Sequence, residues 1–231
     1  MLAIIPAKKN SKRLPNKNIK LLGGKPLIAH TIETAIKSKL VSRVLVSTDC
    51  PKIAKISKKY GAEVPFLRPK KLTIDKSGKF EVCKHVVDFL TIKEKIDISA
   101  FVVLQPTSPL RSVKDIDKAI KIFKKNNADS VVSLCKTKPL QWHCYIKKNG
   151  SFYSAIKKNI KNKSLTKNSY LLNGSIYVFR TSFMNKKKNY NSKSFSYVMP
   201  MERSIDIDDI EDLKIAEALI YKKLKKWKKN H

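Results

Sequence analysis

Five cations lie close together near the start of the chain, in a loop that follows a short apolar run. The apolar run, residues 2–5, predicts a buried strand that ends at Pro6. The loop behind it, residues 7–19, carries Lys8, Lys9, Lys12, Arg13 and Lys17 among small polar residues. A strand that ends in a polar, cation-rich loop is a common way to hold a polyphosphate. Because neither GxxxxGKS/T nor GxGxxG occurs, phosphate binding and a general excess of lysine explain this loop equally well on its residues alone.

Within this N-terminal loop (residues 7–19), three lysines are placed to act as point charges on phosphate oxygens: Lys8, Lys12 and Lys17. Ser11 lies among them and can donate a hydrogen bond to the same group. Lys9 is equally well explained as a surface charge without a role in phosphate binding. The loop therefore supplies one possible wall of an anion site.

Two carboxylates alternate near the other end of the chain, in Ser204-Ile205-Asp206-Ile207-Asp208. In an extended segment, Asp206 and Asp208 project from one face about 7 Å apart, while the isoleucines point into the core. Such a pair suits Mg²⁺, which takes one or two protein carboxylates plus substrate phosphates. The alternative is that acidic residues here only cap the final helix, as Asp209 and Asp212 are expected to do.

The order of the predicted elements indicates the fold. Strands are predicted at residues 44–49, 62–66, 100–104, 130–134, 174–179 and 196–199, and helices at 27–39, 51–60, 80–90, 115–123 and from 213 onward. Strand and helix alternate five times after the first strand, which predicts an α/β, Rossmann-like three-layer αβα sandwich around a mostly parallel sheet. Ligands bind such sheets at the carboxyl ends of the strands. Gln105 stands out there, because it directly follows a buried strand.

The high net charge of the chain does not by itself decide the function. The chain has 231 residues, 42% of them hydrophobic, and a formal net charge of +32 that comes mostly from lysine. The lysines are spread through every segment, so a nucleic-acid-binding role is an alternative that charge alone does not favour. No apolar run reaches the roughly 20 residues that span a bilayer, and the four cysteines lack metal or disulfide spacing. We expect one cytoplasmic domain, residues 1–231, without membrane contact.

One part of the chain departs from the alternating pattern. Residues 142–153 resemble a hairpin with an Asn149-Gly150 turn, and a polar stretch follows. We interpret residues 136–172 as an inserted arm that packs on the body or on a partner subunit.

Six segments together resemble the acylneuraminate cytidylyltransferases, the CMP-sialic acid synthetases and their relatives for other nine-carbon sugar acids. They occur in the family's order and are PAKKNSKRLPNKNI (6–19), VSTD (46–49), LRP (67–69), LQPTSPLR (104–111), NGSIY (173–177) and SIDID (204–208). The resemblance implies a nucleotidyltransferase fold and transfer of CMP from CTP to the anomeric hydroxyl of a 2-keto sugar acid. It also implies a homodimer built through the 136–172 arm.

The resemblance also assigns residues by position. The catalytic positions are Lys8, Lys17 and Asp208, and Mg²⁺ would be held by Asp206 and Asp208. The nucleotide positions are Ala7, Lys8, Ser11, Lys12, Lys17, Asn18, Arg68 and Asp75. The sugar-acid positions are Gln105, Thr107, Ser108, Lys163 and Asn173.

Three departures from the family pattern bear on the substrate. Position 8 is usually arginine in the family, and lysine keeps the charge but loses the bidentate fork. Arginines that grip the sugar carboxylate are replaced by Leu171 and, approximately, by Lys163. Residues 60–69 also resemble the legionaminic and pseudaminic acid branches, whereas residues 105–111 favour the neuraminate and legionaminic ones. Pseudaminic acid and Kdo remain alternative sugars, and a nucleic-acid-binding protein on a degenerate transferase fold remains the non-enzyme alternative.

Overall fold

The computed structural model describes residues 1–73, 78–138, 144–146, 151–154, 169–185 and 190–229. Its strands are β1 (Leu2–Pro6), β2 (Leu21–Leu22), β3 (Lys25–Pro26), β4 (Arg43–Ser47), β5 (Ala100–Leu104), β6 (Ser130–Lys136), β7 (Cys144–Ile146), β8 (Phe152–Ser154), β9 (Tyr170–Arg180) and β10 (Ser194–Met199). Its α-helices are α1 (Leu27–Ile36), α2 (Pro51–Lys59), α3 (Lys79–Lys93), α4 (Val113–Lys125) and α5 (Ile210–Lys229).

Six strands form the central sheet, in the order β10-β6-β9-β5-β1-β4. All neighbouring pairs are parallel except those of β9, which runs antiparallel to both β5 and β6. The prediction of a mostly parallel sheet is confirmed. Because β9 is reversed, its first residues lie beside the carboxyl end of β5, where Leu104 pairs with Ile176.

Alternate residues of the strands enter two hydrophobic cores, one on each face of the sheet. Ala3 and Ile5 of β1 pack with side chains of α1, α2 and α4, whereas Leu2 and Ile4 pack with those of α3. This alternation follows from the period of two along a strand. The predicted three-layer αβα arrangement is thereby confirmed.

A third, smaller core joins the N-terminal loop to the end of the chain. Leu14 of the loop packs with Leu22, Leu27, Ile207 and the first turns of α5. Ile207, which is fully buried, lies between Asp206 and Asp208. The predicted inward orientation of this isoleucine is confirmed, and it draws both ends of the sequence to one place.

Two other predictions have different outcomes. The strand predicted at residues 62–66 is wrong: Glu63 makes only an isolated bridge to Leu45 of β4, and Leu67 makes one to Thr48 just after β4. Pro65 between them has no N–H to donate. The predicted hairpin is confirmed in the pairing of β7 with β8, while its turn, residues 147–150, lies outside the described residues. In the part of the chain that the structure describes, no helix could cross a membrane.

Candidate active site

The candidate site lies where β1, β4 and β5 end and β9 begins. Ala7 continues β1 and its N–H donates to the Ser47 carbonyl of β4 at 2.9 Å. Gln105 follows β5, and Gly174, in the first half of β9, lies close to the Gln105 side chain. As expected for a parallel sheet, the polar strand ends share one edge.

Side chains and backbone fix the N-terminal loop over this edge. The Lys9 N–H donates to Asp49 Oδ1 at 2.8 Å, and Asn18 Nδ2 donates to the Lys8 carbonyl at 2.9 Å. Asp49 does not cap α2, whose N-cap residue is Cys50 without a side-chain cap. Asp49 instead ties the loop to the end of β4.

The carboxylate segment, residues 204–208, is held from both sides. The Ile207 N–H donates to the Thr107 carbonyl at 2.7 Å, which joins the segment to the loop after β5. Behind it, Asp212 Oδ2 accepts from the N–H groups of Asp208 and Asp209, and Asp209 Oδ1 accepts from the Asp212 N–H. The capping role predicted for Asp209 and Asp212 is thus confirmed. It leaves Asp206 and Asp208 for other tasks.

Asp208 joins the N-terminal loop to the carboxylate segment. Its Oδ1 accepts from Lys17 Nζ at 2.9 Å, and its Oδ2 lies 2.5 Å from Arg13 Nη2. Partial burial would raise the pKa of Asp208, but the hydrogen bond and charge of Lys17 and the charge of Arg13 lower it overall. The carboxyl is therefore ionised at neutral pH. Arg13 was counted among the loop cations but given no role, and only the folded chain shows its partner.

Gly174 allows two side chains to approach the backbone closely. A Cβ at this position would lie 3.1 Å from Asp206 Oδ2 and 3.5 Å from Gln105 Nε2. Its φ of +73° is one that residues with a side chain rarely adopt. Glycine at position 174 therefore lets Asp206 and Gln105 meet at the start of β9.

The other predicted sugar-acid residues differ in what they expose. Asn173 is buried, and its amide is fully engaged: Oδ1 accepts from Ser133 and the Ser175 N–H, and Nδ2 contacts Ser204 Oγ and Met199 Sδ. Ser108 is a buried residue of the loop after β5, and Thr107 Oγ1 lies 3.5 Å from Gln105 Oε1. Lys163 lies outside the described residues. Of this predicted set, Gln105 and Thr107 are the ones that remain partly exposed at the sheet edge.

The predicted nucleotide residues divide in the same way. Arg68 is buried and donates to Ser47 from both Nε and Nη2, and burial chiefly lowers its pKa. Asn18 is also buried, and its Oδ1 has no hydrogen-bond partner among the residues that the structure describes. Lys8 and Ser11 are partly exposed, and Lys12 is exposed. Asp75 lies outside the described residues.

Substituting Gly174 with alanine is expected to impair function more than stability. The positive φ costs about 1 kcal/mol, and the new methyl group displaces Asp206, so a loss of about tenfold or more in turnover is expected. Gly24→Ala is the matched control, because Gly24 has a φ of +79° but no atom within 4 Å of the added Cβ. Chemical denaturation and initial rates on both variants make the comparison. Equal rates in the two variants would show that the crowding at Asp206 is unimportant.

Comparison with known proteins agrees with this geometry. The chain is 36% identical over 226 residues to the CMP-N,N'-diacetyllegionaminic acid synthase of Legionella pneumophila, covering 95% of this chain and 96% of the relative. It is 33% identical over 223 residues to the pseudaminic acid cytidylyltransferase of Campylobacter jejuni, covering 94% and 95%. It is 34% identical over 232 residues to the N-acylneuraminate cytidylyltransferase of Escherichia coli O18:K1:H7, covering 96% of this chain but 52% of that relative. The chain thus spans about half the length of the E. coli relative.

A solved structure and a family model complete the comparison. The structure of CMP:2-keto-3-deoxy-manno-octonic acid synthetase complexed with CTP superposes with a TM-score of 0.70 at 16% identity, covering 96% of this chain and 98% of that one, which supports the fold. The family model described as cytidylyltransferase matches residues 2–228. The chain therefore belongs to the cytidylyltransferase family, as its six sequence segments predicted.

Proposed function

We propose that the protein transfers CMP from CTP to the anomeric hydroxyl of a nine-carbon 2-keto sugar acid of the N-acylneuraminate or legionaminate type. The hydroxyl oxygen forms a bond to the α-phosphorus while the bond from that phosphorus to the bridging oxygen breaks. Pyrophosphate leaves, and the hydroxyl proton passes to a base or to solvent. Family membership and the names of the relatives support this reaction.

One contact carries the proposal: Lys17 Nζ and Asp208 Oδ1 lie 2.9 Å apart although 191 residues separate them in the chain. The contact joins the N-terminal loop to the carboxylate segment, which supports one site formed by both. Cations on one side and carboxylates on the other suit a triphosphate bound together with a divalent cation. Either segment alone would suit a wider range of ligands.

We assign the triphosphate to the N-terminal loop. Lys8, Ser11, Lys12 and Lys17 would neutralise and hydrogen-bond its oxygens, and the Ala7 backbone borders it at the end of β1. Asn18 would offer a buried acceptor, Oδ1, to the nucleoside, and Arg68 is held by Ser47 at the end of β4. Asp75 is assigned to the nucleotide by resemblance alone. Because positioning and charge neutralisation supply most of the catalysis in transfer at phosphorus, Lys8, Lys17 and Asp208 are assigned the catalytic roles.

Asp206 and Asp208 fit a magnesium ion. In the described ranges, no group of three or more acidic, histidine or cysteine side chains could hold a metal by itself. Two carboxylates that share an ion with phosphate oxygens are the donor set that Mg²⁺ commonly takes. Bound there, Mg²⁺ would neutralise phosphate oxygens and make the attacking hydroxyl more acidic.

We assign the sugar acid to the other side of the site. Gln105 and Thr107 are partly exposed beside Asp206 and can contact the hydroxyl groups of the sugar acid directly. Asn173 is buried and would shape this subsite by holding the Ser175 N–H. Ser108 is also buried and would shape it by packing. Lys163 is the cation assigned by resemblance to the sugar carboxylate.

We also propose a homodimer that uses the arm and the adjacent sheet. Leu172, Leu134 and Val198 are register partners across β9, β6 and β10, and Leu172 and Val198 are each about half exposed (51% and 49%). Register partners lie on one face, so these side chains form an apolar row beside the arm. Sedimentation velocity should give a dimer, and Leu172→Lys should shift it toward monomer. A monomeric wild-type protein would contradict the proposal.

Pyrophosphate release tests the function directly. The full chain is incubated with Mg²⁺, one of CTP, ATP, GTP or UTP, and one of N-acetylneuraminic, N,N'-diacetyllegionaminic, pseudaminic or 2-keto-3-deoxy-manno-octonic acid. Release is expected with CTP and a nine-carbon acid, and omission of either should abolish it. Release only with another nucleotide, or none with any pair, would overturn the proposal. Tight nucleic-acid binding with a steep salt dependence, in a protein that does not bind CTP, would favour the non-enzyme alternative.

A further inference from the structure

A buried arginine lies directly beneath the sugar-acid side of the proposed site. Arg111 is only 3% exposed, and it follows the loop that begins at Gln105. Its guanidinium contacts three different parts of the fold. Nη1 donates to Ser175 O at 2.6 Å and Ser175 Oγ at 3.1 Å, and Nη2 donates to Thr31 Oγ1 at 2.9 Å.

The same guanidinium holds the backbone of Gln105. Both Nη1 and Nη2 lie within hydrogen-bonding distance of the Gln105 carbonyl, at 3.4 and 3.2 Å. Ser175, its other main partner, is the neighbour of Gly174. Arg111 therefore grips both backbone segments that present Gln105 and Gly174 to the site. A planar fork with several donors suits this task better than a single ammonium group.

The charge of Arg111 is not explained by these contacts, because every hydrogen-bond partner given above is neutral. Burying a guanidinium is costly unless nearby charges compensate for its lost hydration. Burial lowers the pKa of Arg111 to about 9, and the charges of Asp115 and Asp206 oppose that shift. Asp115 is already engaged by Arg203. Of these two carboxylates, Asp206 is the one in the proposed site, and its charge and that of Arg111 favour each other.

We propose that Arg111 is a positioning residue for the sugar-acid half of the site. It fixes Gln105 and the Gly174–Ser175 turn through its fork, and its charge compensates Asp206 and the anionic substrate above it. This inference rests on the proposed function. A change at Arg111 is expected to affect the sugar acid and not CTP. In the contacts that the structure gives, Arg111 contacts neither the N-terminal loop nor Arg68 and Ser47 on the nucleotide side.

Kinetics of Arg111→Lys and Arg111→Met test the proposal, with CTP and the panel acid that the wild-type protein uses best. Arg111→Lys keeps the charge and loses the fork, so KM for the acid should rise about tenfold while KM for CTP stays within about twofold. Arg111→Met loses both the charge and the fork, and its kcat should be about a hundredfold lower than that of Arg111→Lys. Thr31→Val, which removes one partner at constant shape, should change KM for the acid in the same direction by less.

Arg180→Lys is the matched control, because Arg180 grips the Asn127 side chain and the Ala128 carbonyl at the opposite end of β9. It should lower stability without a selective change in either KM. If Arg111→Lys raises both KM values equally, or changes only the melting temperature, Arg111 contributes only to the stability of the fold and the proposal is wrong. If the wild-type protein turns over none of the acids, the proposed function fails by itself. Amide resonances of Gln105 and Gly174 then decide the positioning role, since they should shift in Arg111→Lys and not in Arg180→Lys.

Discussion

Asp208→Asn is expected to reduce turnover about 100- to 1,000-fold or more while leaving the fold intact. The substitution keeps the size of the side chain and removes the charge that meets Lys17 and Arg13. It also removes one of the two carboxylates assigned to Mg²⁺. Because the proposed reaction needs this charge as the α-phosphorus is attacked, kcat should fall more than KM for the sugar acid rises.

Glu211→Gln is the control for this substitution. Glu211 lies three residues later, with a side chain that is 70% exposed, and its ion pair with Lys214 is a surface one. Loss of an exposed pair changes stability by well under about 1 kcal/mol, so turnover and stability should both stay near the wild-type values. Mg²⁺ titrations of both variants, followed by pyrophosphate release, identify the step that is lost. Near-normal turnover of Asp208→Asn at saturating Mg²⁺ would remove Asp208 from both the metal and the catalytic assignments.

The sequence predicted the parts of the fold that depend on local patterning. Unalternating apolar runs at β1 and β5 marked buried strands, and the 3.6-residue period marked the helices that cover them. No pattern in the sequence of β9 indicated that this strand runs antiparallel to its neighbours. That direction depends on which neighbour the strand finds in the sheet, and it is what brings Gly174 to Gln105.

The candidate site shows the same division. Lys17 and Asp208 were singled out because their residue types and spacing suit phosphate and metal. Arg111 was part of a quoted segment but received no role, since burial and partners decide what a cation does. Asn173 looked like a ligand contact at a strand end, but its amide is fully engaged within the protein. Residue type therefore identified the charged residues of the candidate site, whereas the contacts that support them were visible only in the folded chain.

The largest effect on stability is expected at Arg203, which positions the carboxylate segment from outside the site. Its Nε and Nη2 donate to the two carboxylate oxygens of Asp115, each at 2.9 Å. Asp115 is fully buried at the start of α4, where Tyr197 and Ser112 also donate to it. Burial would raise the pKa of Asp115, but the hydrogen bonds from Arg203, Ser112 and Tyr197 lower it to about 2.

Arg203→Met should lower the free energy of unfolding by about 2–3 kcal/mol at neutral pH. Breaking a fully buried pair costs about 3–5 kcal/mol, and the effect is smaller here because the Arg203 side chain is 32% exposed. For a chain of this size, the melting temperature should fall by about 5–10 °C. Turnover should fall as well, because Arg203 directly precedes the segment 204–208, which carries the two carboxylates assigned to Mg²⁺.

The pH dependence separates this mechanism from a simple loss of packing. In the wild-type protein, the folded pKa of Asp115 lies below its ordinary value of 3.8, so its contribution to stability is complete above pH 3.8. That contribution is lost as the pH falls from 3.8 toward about 2. The variant lacks most of it, so the stability difference between the two proteins should be largest at neutral pH and shrink in that acid range. Urea denaturation at several pH values measures the difference.

Lys25→Met provides the control for Arg203→Met, since Lys25 pairs with Glu33 on the surface and its side chain is 47% exposed. Its loss should cost less than about 1 kcal/mol at any pH. A difference between Arg203→Met and the wild-type protein that stays constant from pH 7 to pH 3 would show that packing, and not the charge pair, is responsible. A difference that shrinks in acid, together with reduced turnover at neutral pH, would mean that a buried ion pair outside the proposed site orients the carboxylates assigned to Mg²⁺.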